Sequence, residues 1–212
     1  MNAQAIQQIA EEIVEAGVVF YEMGLAMAND GNISCRLTDG SIMITPTGVS
    51  KGRLRADRMV RMTLDGAVIE APENVRPSSE YRMHLGVYKE RPDVQAVVHM
   101  HPPYATAFSA AGLASKGDLL IESALLLGDV PVTAFALAGT DEVPDSVRPF
   151  CAAHNAVLLA NHGVLTWGVT LQQASFRMQS LEQTARNVIF CRLLGEEQKI
   201  SQQDLARLSS LL

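Results

Sequence analysis

Three of the five histidines in the chain lie where strands of a sheet are expected to end. His99 and His101 are two residues apart after an apolar run, and His162 follows a second apolar run. Because alternate residues of a strand face the same way, His99 and His101 can point into one site. Three neutral imidazoles suit Zn²⁺, and a catalytic zinc site keeps a further position open. A lone His-x-His pair is a weak signal, and two histidines exposed at a strand end are the alternative.

Glu80 is a candidate acid/base residue because it follows Pro77, Ser78 and Ser79 at an expected helix start. A glutamate in a first helical turn is favoured by the helix dipole alone, so a capping role is the alternative. His84 lies four residues later on the same face and could form a ligand pair with Glu80. We prefer to interpret His84 as a surface or partly buried helix residue.

Three short segments carry groups that suit a phosphate: 31–34 (GNIS), 45–48 (TPTG) and 77–79 (PSS). They are expected to be turns. Their hydroxyls, amide and backbone N–H groups, together with a helix N-terminus, can hold a phosphate without arginine. The phosphate-binding loop G-x-x-x-x-G-K-[ST] does not occur in the sequence, so a nucleotide site of that kind is excluded.

Hydrophobic periodicity predicts the helices that position these residues. The first runs from about Ile6 to Gly24, and the last long one runs from the cap Thr170 to about Leu194. Its inner face should contain Ala174, Met178, Leu181, Ala185 and Val188. Further helices are expected from the PSSE segment with Glu80 in the first turn, over 102–111, after the cap Thr140, and from Ser201.

Strands are expected over 42–45, 59–63, 67–70, 94–98, 130–134 and 156–160. The second and third should form a hairpin, because Asp65-Gly66 between them is typical of a tight turn. No repeat, low-complexity block or linker divides the chain. The sequence therefore predicts one α/β domain over residues 1–212.

Composition narrows the class of protein. The chain is 48% hydrophobic, and its 23 acidic against 17 basic side chains give a net charge of −6 without a Lys/Arg-rich run. We therefore expect a small-molecule or protein partner, no nucleic acid and no membrane. Cys35, Cys151 and Cys191 have no C-x-x-C spacing, and we interpret all three as buried thiols in a reducing, cytoplasmic setting.

The order of five motifs, GNIS, TPTG, PSSE, HMHPPY and NHG, resembles the class II aldolase/adducin family and within it the L-fuculose-1-phosphate aldolase group. The resemblance runs from about Ile6 to Leu194. It implies a three-layer α/β/α fold with a central, mainly antiparallel sheet. It also implies a cyclic homotetramer with active sites between neighbouring subunits.

The same resemblance assigns roles by motif. His99, His101 and His162 match the family's metal ligands, and Glu80 matches its acid/base glutamate, which can also touch the resting metal. The metal would be Zn²⁺, with Mn²⁺ or Co²⁺ possible. Non-catalytic adducin-like members lose the histidines, so an enzyme is favoured here. The residues that match the phosphate pocket are Asn32, Thr47, Gly48, Ser78 and Ser79.

These matches predict a zinc-dependent aldolase that cleaves a ketose 1-phosphate into dihydroxyacetone phosphate and a small aldehyde. The aldolases are expected to use tyrosines of the neighbouring subunit, but segment 118–131 and the C-terminus contain none. The family's 4-epimerases have an aspartate where Ala124 stands, and its decarboxylases tend to have lysine at Ser79. Epimerase, decarboxylase and a non-catalytic metal-containing scaffold are the alternatives.

Overall fold

The computed structural model describes residues 3–210, with a seven-stranded sheet at the centre. Every strand pairing in it is antiparallel, as the family resemblance implied. The strand order is β4-β3-β2-β1-β5-β7-β6. The strands are β1 Asn32–Arg36, β2 Ile42–Ile44, β3 Val60–Met62, β4 Val68–Glu70, β5 Ala96–Met100, β6 Ala156–Leu159 and β7 Gly163–Gly168.

Helices cover both faces of the sheet, so the three-layer α/β/α architecture is confirmed. One face packs against α1, α3 and α6, and the other packs against α2 and α5. Alternate strand residues divide between the two cores, with Val98 on the first face and Val97 on the second. The helices are α1 Ala3–Glu22, α2 Tyr81–Glu90, α3 Pro103–Ala110, α4 Ile121–Leu126, α5 Glu142–Val147, α6 Leu171–Leu194 and α7 Gln202–Ser209.

The two long helices form where their apolar periodicity predicts. All five residues predicted for the inner face of α6 are buried. The Thr170 side chain accepts the Gln173 N–H at the start of α6, and Ser201 accepts the Asp204 N–H at the start of α7. The predicted Thr170 cap and the predicted helix start at Ser201 are thus confirmed, whereas the cap position of α5 is Asp141 rather than the predicted Thr140. None of the helices in the described part of the chain is long and apolar enough to cross a bilayer.

Two strand and turn predictions were wrong. Segment 130–134 touches β6 only through an isolated bridge from Val132 to Leu158, because Pro131 has no N–H for a regular ladder. Residues 32–34 are not a turn but the start of β1, between β2 and β5. Asn32 has low strand propensity, and pairing with strands on both sides overrides it.

Other local predictions need correction. Helix α2 begins at Tyr81, so Glu80 precedes the first turn, and its side chain makes no cap hydrogen bond. The helix expected after Thr140 is only the short α5, which contains Pro144. Cys35 and Cys151 are buried as predicted, whereas Cys191 is only partly buried. Strand β7 and helix α4 were not predicted.

Candidate functional site

The three histidines of the predicted metal site meet at one end of the central strands. His99 lies in β5, His101 follows the strand directly, and His162 lies in the turn between β6 and β7. Their ring centroids are 4.8 to 5.0 Å apart. One ring nitrogen of each falls within 4.8 Å of those of the other two. The three residues can therefore hold one metal ion.

Gly163 makes this convergence possible. A Cβ atom at this position would lie 2.6 Å from Cδ2 of His101 and 3.2 Å from Cε1 of His99. It would also lie 2.7 Å from the carbonyl oxygen of Met100. Only glycine lets β7 begin this close to two imidazole rings, which explains the Gly after His162.

Hydrogen bonds outside the cluster fix which imidazole nitrogen faces inward. Nδ1 of His99 lies 2.9 Å from the carbonyl oxygen of Val164 and must carry the proton, because a carbonyl only accepts. In its neutral form His99 therefore presents the lone pair of Nε2 to the cluster. Nδ1 of His101 lies 3.3 Å from the Asp30 carboxylate, which favours its proton on the same side. Such outer partners are typical of metal-ligating histidines.

Glu80 closes the cluster from the start of α2. Its Oε2 lies 3.3 Å from Nε2 of His99, and its Oε1 lies 3.1 Å from Nε2 of His162. Burial alone would raise the pKa of this carboxyl. Attraction between the carboxylate and the imidazoles of His99 and His162 in their charged form outweighs burial and holds the pKa of Glu80 well below its usual range. Glu80 is thus an anion facing imidazole nitrogens.

The donor set fits a divalent transition metal. Donor atoms bound at about 2.1 Å to a tetrahedral Zn²⁺ lie about 3.4 Å apart. Nε2 of His101 and Nε2 of His99 are 3.0 Å apart, close to that spacing. The buried Oε1 of Glu80 accepts no aligned hydrogen bond from any described residue, so it has capacity for a cation. Side chains of His101 and His162 are 25% and 19% exposed, which leaves an approach from solvent.

Asn32 connects this cluster to the sheet. It pairs with His99 across β1 and β5, and its Nδ2 donates to Oε2 of Glu80 over 3.0 Å. Its Oδ1 therefore faces Nε2 of His84, which must be the donor. Nδ1 of His84 then accepts from the Ser34 hydroxyl at 2.7 Å. The chain of hydrogen bonds from Ser34 to Glu80 sets the direction of each side chain.

The prediction that His84 is a surface or partly buried residue is wrong, because its side chain is fully buried. Burial, with repulsion from His99, lowers its pKa to about 3. It lies outside the group of histidines that can hold a metal. Both of its ring nitrogens are already engaged, so the proposed Glu80/His84 ligand pair does not form.

Four of the five residues predicted to bind phosphate lie in two paired segments, and the fifth, Asn32, lies in β1. An isolated bridge joins Pro46 to Pro77, and this brings 45–48 next to 77–79. Thr47, Gly48 and Ser79 are exposed, whereas Ser78 is buried and its hydroxyl accepts the Glu80 N–H over 3.3 Å. Asn32 is buried and already bonded on both sides of its amide.

Two features of this region were missed by the sequence analysis. Asp30 carried no signal, because its approach to His101 depends on how the loop before β1 folds. An arginine-lined cavity beside the 45–48 turn involves Arg53, Arg55, Arg58 and Arg76. The close spacing of the first three could have indicated it.

Comparison with known proteins places this site in a family. Residues 11–189 match the family model described as the class II aldolase and adducin N-terminal domain. This match covers most of the chain and includes every residue of the His and Glu cluster. The chain belongs to the class II aldolase and adducin family.

Curated relatives in this family are lyases that act on sugar phosphates. The chain is 32% identical over 209 residues to a 3-oxo-tetronate 4-phosphate decarboxylase of Pectobacterium atrosepticum, covering 96% of this chain and 93% of that protein. It is 30% identical over 179 residues to the L-fuculose phosphate aldolase of Escherichia coli, covering 84% and 81%. The decarboxylase alternative thus fits the comparisons better than the aldolase.

A solved structure shows the same fold. YgbL of Escherichia coli, a protein named for three candidate activities (aldolase, epimerase and decarboxylase), superposes with a TM-score of 0.89 at 29% identity. The likeness covers 96% of this chain and 99% of that one.

Proposed function

We propose that the protein is a metal-dependent lyase that decarboxylates a 3-oxo sugar-acid 4-phosphate. The observation that carries the proposal is the convergence of Glu80 with the imidazoles of His99, His101 and His162. An anionic carboxylate beside a three-histidine site suits the formation and protonation of an enediolate. The decarboxylase among the relatives supports this choice of reaction.

In this proposal His99, His101 and His162 hold Zn²⁺, with Mn²⁺ or Co²⁺ as alternatives, and Glu80 is a further ligand of the resting site. A bound divalent ion supplies positive charge beside the substrate oxygen on which negative charge develops, a contribution of several kcal/mol. The outer hydrogen bonds of His99 and His101 keep their lone pairs directed at that place.

The carbon chemistry explains why one site could serve two reactions. In a 3-oxo-tetronate 4-phosphate, loss of CO₂ breaks the C1–C2 bond and leaves its electron pair in a C2–C3 enediolate. One proton delivered to C2 then gives dihydroxyacetone phosphate. Cleavage of a ketose 1-phosphate gives the same enediolate with an aldehyde as the other product. In this proposal Glu80 relays the proton to carbon, a task typically worth about 10²–10⁴ in rate.

The leaving group distinguishes the two reactions. An aldehyde leaves only if a base removes the hydroxyl proton of the cleaved carbon, and the aldolases of the family are expected to use tyrosine on that side. In decarboxylation the substrate carboxylate is already ionised and departs as CO₂, so no such base is needed. Segment 118–131 contains no tyrosine. This absence would deprive an aldolase of a group that its reaction requires, but it does not affect a decarboxylase.

Thr47, Gly48, Ser78 and Ser79 form the proposed phosphate pocket, with Asn32 at its inner edge. Asn32 can offer only the second hydrogen of its Nδ2, because the first is bonded to Glu80. The exposed Thr47 and Ser79 hydroxyls are free to turn toward a phosphate. Ser79 therefore carries more of this binding than Asn32.

An aldolase acting on a ketose 1-phosphate is the second candidate. Ser79 favours it, because the family's decarboxylases tend to have lysine at that position. The aldolase relative from Escherichia coli supports the same reading.

One paired assay tests both candidates. The metal-loaded protein is incubated with 3-oxo-tetronate 4-phosphate or with L-fuculose 1-phosphate, and dihydroxyacetone phosphate and CO₂ are measured together. We expect equal amounts of both products from the first substrate. Release of dihydroxyacetone phosphate from the second substrate alone would replace the decarboxylase with the aldolase. Turnover of neither, with no binding of the enediolate mimic phosphoglycolohydroxamate, would indicate a non-catalytic scaffold.

We further propose a cytoplasmic homotetramer in which neighbouring subunits complete the active sites. An exposed apolar surface formed by Met23, Leu126 and Phe176 supports self-association. These three residues are 49%, 39% and 48% exposed, respectively. These three residues border one groove on α6. Isolated apolar residues need no explanation on a surface, but a shared groove favours an interface.

A further inference from the structure

Four arginines surround one cavity of about 460 Å³ beside the 45–48 turn. Arg53 and Arg58 end the two short 3₁₀ turns after β2, and Arg55 lies between these turns. Arg76 lies in the segment before Pro77. The whole chain has only 17 basic side chains and a net charge of −6. The concentration of positive charge here therefore runs against the charge of the molecule.

Most of this charge is not neutralised within the chain. Arg55 forms an ion pair with Asp57, at 2.8 Å. The guanidinium groups of Arg53, Arg58 and Arg76 have no ion pair or side-chain hydrogen bond with any residue that the structure describes. None of the described residues that line the cavity is acidic. Like charges that line one space repel each other, and an anion bound between them would relieve that repulsion.

The cavity also offers backbone and hydroxyl groups to an anion. Thr47 and Gly48 form part of its wall, and Gly48 has a φ of 74°. The Thr47 N–H is already bonded to the carbonyl oxygen of Arg76, so the hydroxyl is the group that Thr47 can offer. Neither Ser79 nor any histidine lines this cavity in the described part of the chain. The cavity therefore lies outside the metal cluster, although it shares Thr47 and Gly48 with the proposed phosphate pocket.

We propose that this cavity binds a small molecule with two or more phosphate or carboxylate groups. Guanidinium groups bind such anions through paired hydrogen bonds, and three of them match more than one anionic group. The volume lies within the range of small-molecule sites. The inference does not depend on which reaction the metal cluster performs.

The test uses glucose 1,6-bisphosphate, which has no ketone to bind a metal ion, and calorimetric titration at low ionic strength. Glucose 6-phosphate serves as the ligand with a single phosphate. We expect the bisphosphate to bind at least tenfold more tightly than the monophosphate. Arg53→Gln, Arg58→Gln and Arg76→Gln should each weaken bisphosphate binding by about tenfold, because each removes a charge-assisted contact.

Arg207→Gln is the matched control, since Arg207 lies on α7 and pairs with Asp204. It should bind the bisphosphate as the unmodified protein does. A bisphosphate affinity that is unchanged in the three arginine variants overturns the proposal, as does an affinity lost only in Ser79→Ala, which would place the ligand in the substrate's phosphate pocket. Absence of binding together with a change of mass by light scattering in the arginine variants would show a subunit interface instead.

Discussion

Lone pairs of imidazole nitrogens and a carboxylate face each other in the His and Glu cluster. The Val164 carbonyl fixes the proton of His99 on Nδ1, so His99 and Glu80 meet through two acceptor atoms 3.3 Å apart. Such an arrangement is unfavourable unless a proton or a metal ion lies between the acceptors. The site is therefore built for a cation rather than for its own hydrogen bonds.

Replacement of one histidine tests this view. His101→Ala removes one of the three proposed nitrogen ligands, and we expect metal affinity to fall by more than about 100-fold, beyond the effect of losing an outer partner. Asp30→Asn should lower affinity by about tenfold, since it weakens only the contact that orients His101. Elemental analysis after dialysis measures both effects.

His154→Ala is the control for this experiment, because His154 does not belong to the group of histidines that can hold a metal and its Nδ1 bonds to the Asp129 carbonyl oxygen instead. It should keep the metal content of the unmodified protein. Retention of metal by His101→Ala together with loss in His84→Ala would show that the ligand assignment is wrong.

The buried side chain of His84 makes the free energy of unfolding depend on pH under acidic conditions. Its pKa is about 3 in the folded protein and about 6.5 when it is exposed. Between these values the unfolded chain binds a proton that the folded chain does not. The free energy of unfolding therefore does not depend on the titration of His84 above pH 6.5. It decreases by about 1.4 kcal/mol per pH unit as pH falls from 6.5 toward 3.

His84→Gln should reduce this pH dependence. A glutamine side chain can accept from Ser34 and donate to Asn32 without titrating. Urea unfolding of metal-free samples at pH 7, 6, 5 and 4 measures the difference without interference from metal release. Parallel curves for the two proteins would contradict the assignment of acid sensitivity to His84.

At the scale of elements, the turn from β6 to β7 delivers His162 to the cluster. We expect Gly163→Ala to destabilise the fold by about 1–3 kcal/mol, since the added methyl group overlaps the rings of His99 and His101. Moving those rings should also lower metal content. Unfolding by urea and elemental analysis give the two readouts.

Thr170→Ala is the control that shows whether any loss of stability lowers metal content, or only the displacement of the ligand rings by Gly163→Ala. The Thr170 hydroxyl caps α6 by accepting the Gln173 N–H over 3.0 Å, and its loss should cost about 1 kcal/mol. This variant should keep its full metal content. If both variants lose metal equally, the turn has no particular role in positioning the ligands.

At the scale of the whole molecule, exposed apolar surface predicts self-association. Phe176→Glu places a charge in the groove next to Met23 and Leu126. We expect it to convert a tetramer of the unmodified protein into smaller species in multi-angle light scattering. Gln183→Glu, on the same groove but at an already polar position, is the matched control and should leave the mass unchanged. A monomeric unmodified protein would contradict the proposed tetramer.

Much of the architecture follows from local sequence patterns. The buried stripe of α6 and its Thr170 cap lie within one helix, where spacing along the chain decides which side chains share a face. The order of the five motifs likewise identified the family. The single domain over residues 1–212 stays a prediction.

Only the tertiary structure decided how distant residues meet. The pairing order β1-β5-β7 brings Asn32, His99 and the β6–β7 turn together from positions far apart in the chain. Local patterns do not specify such non-local pairing. For the same reason the burial of His84, the contact of Asp30 with His101 and the approach of Arg76 to the other three arginines could not be predicted from the sequence. Each depends on what another segment places beside the residue, whereas periodicity and capping depend on near neighbours alone.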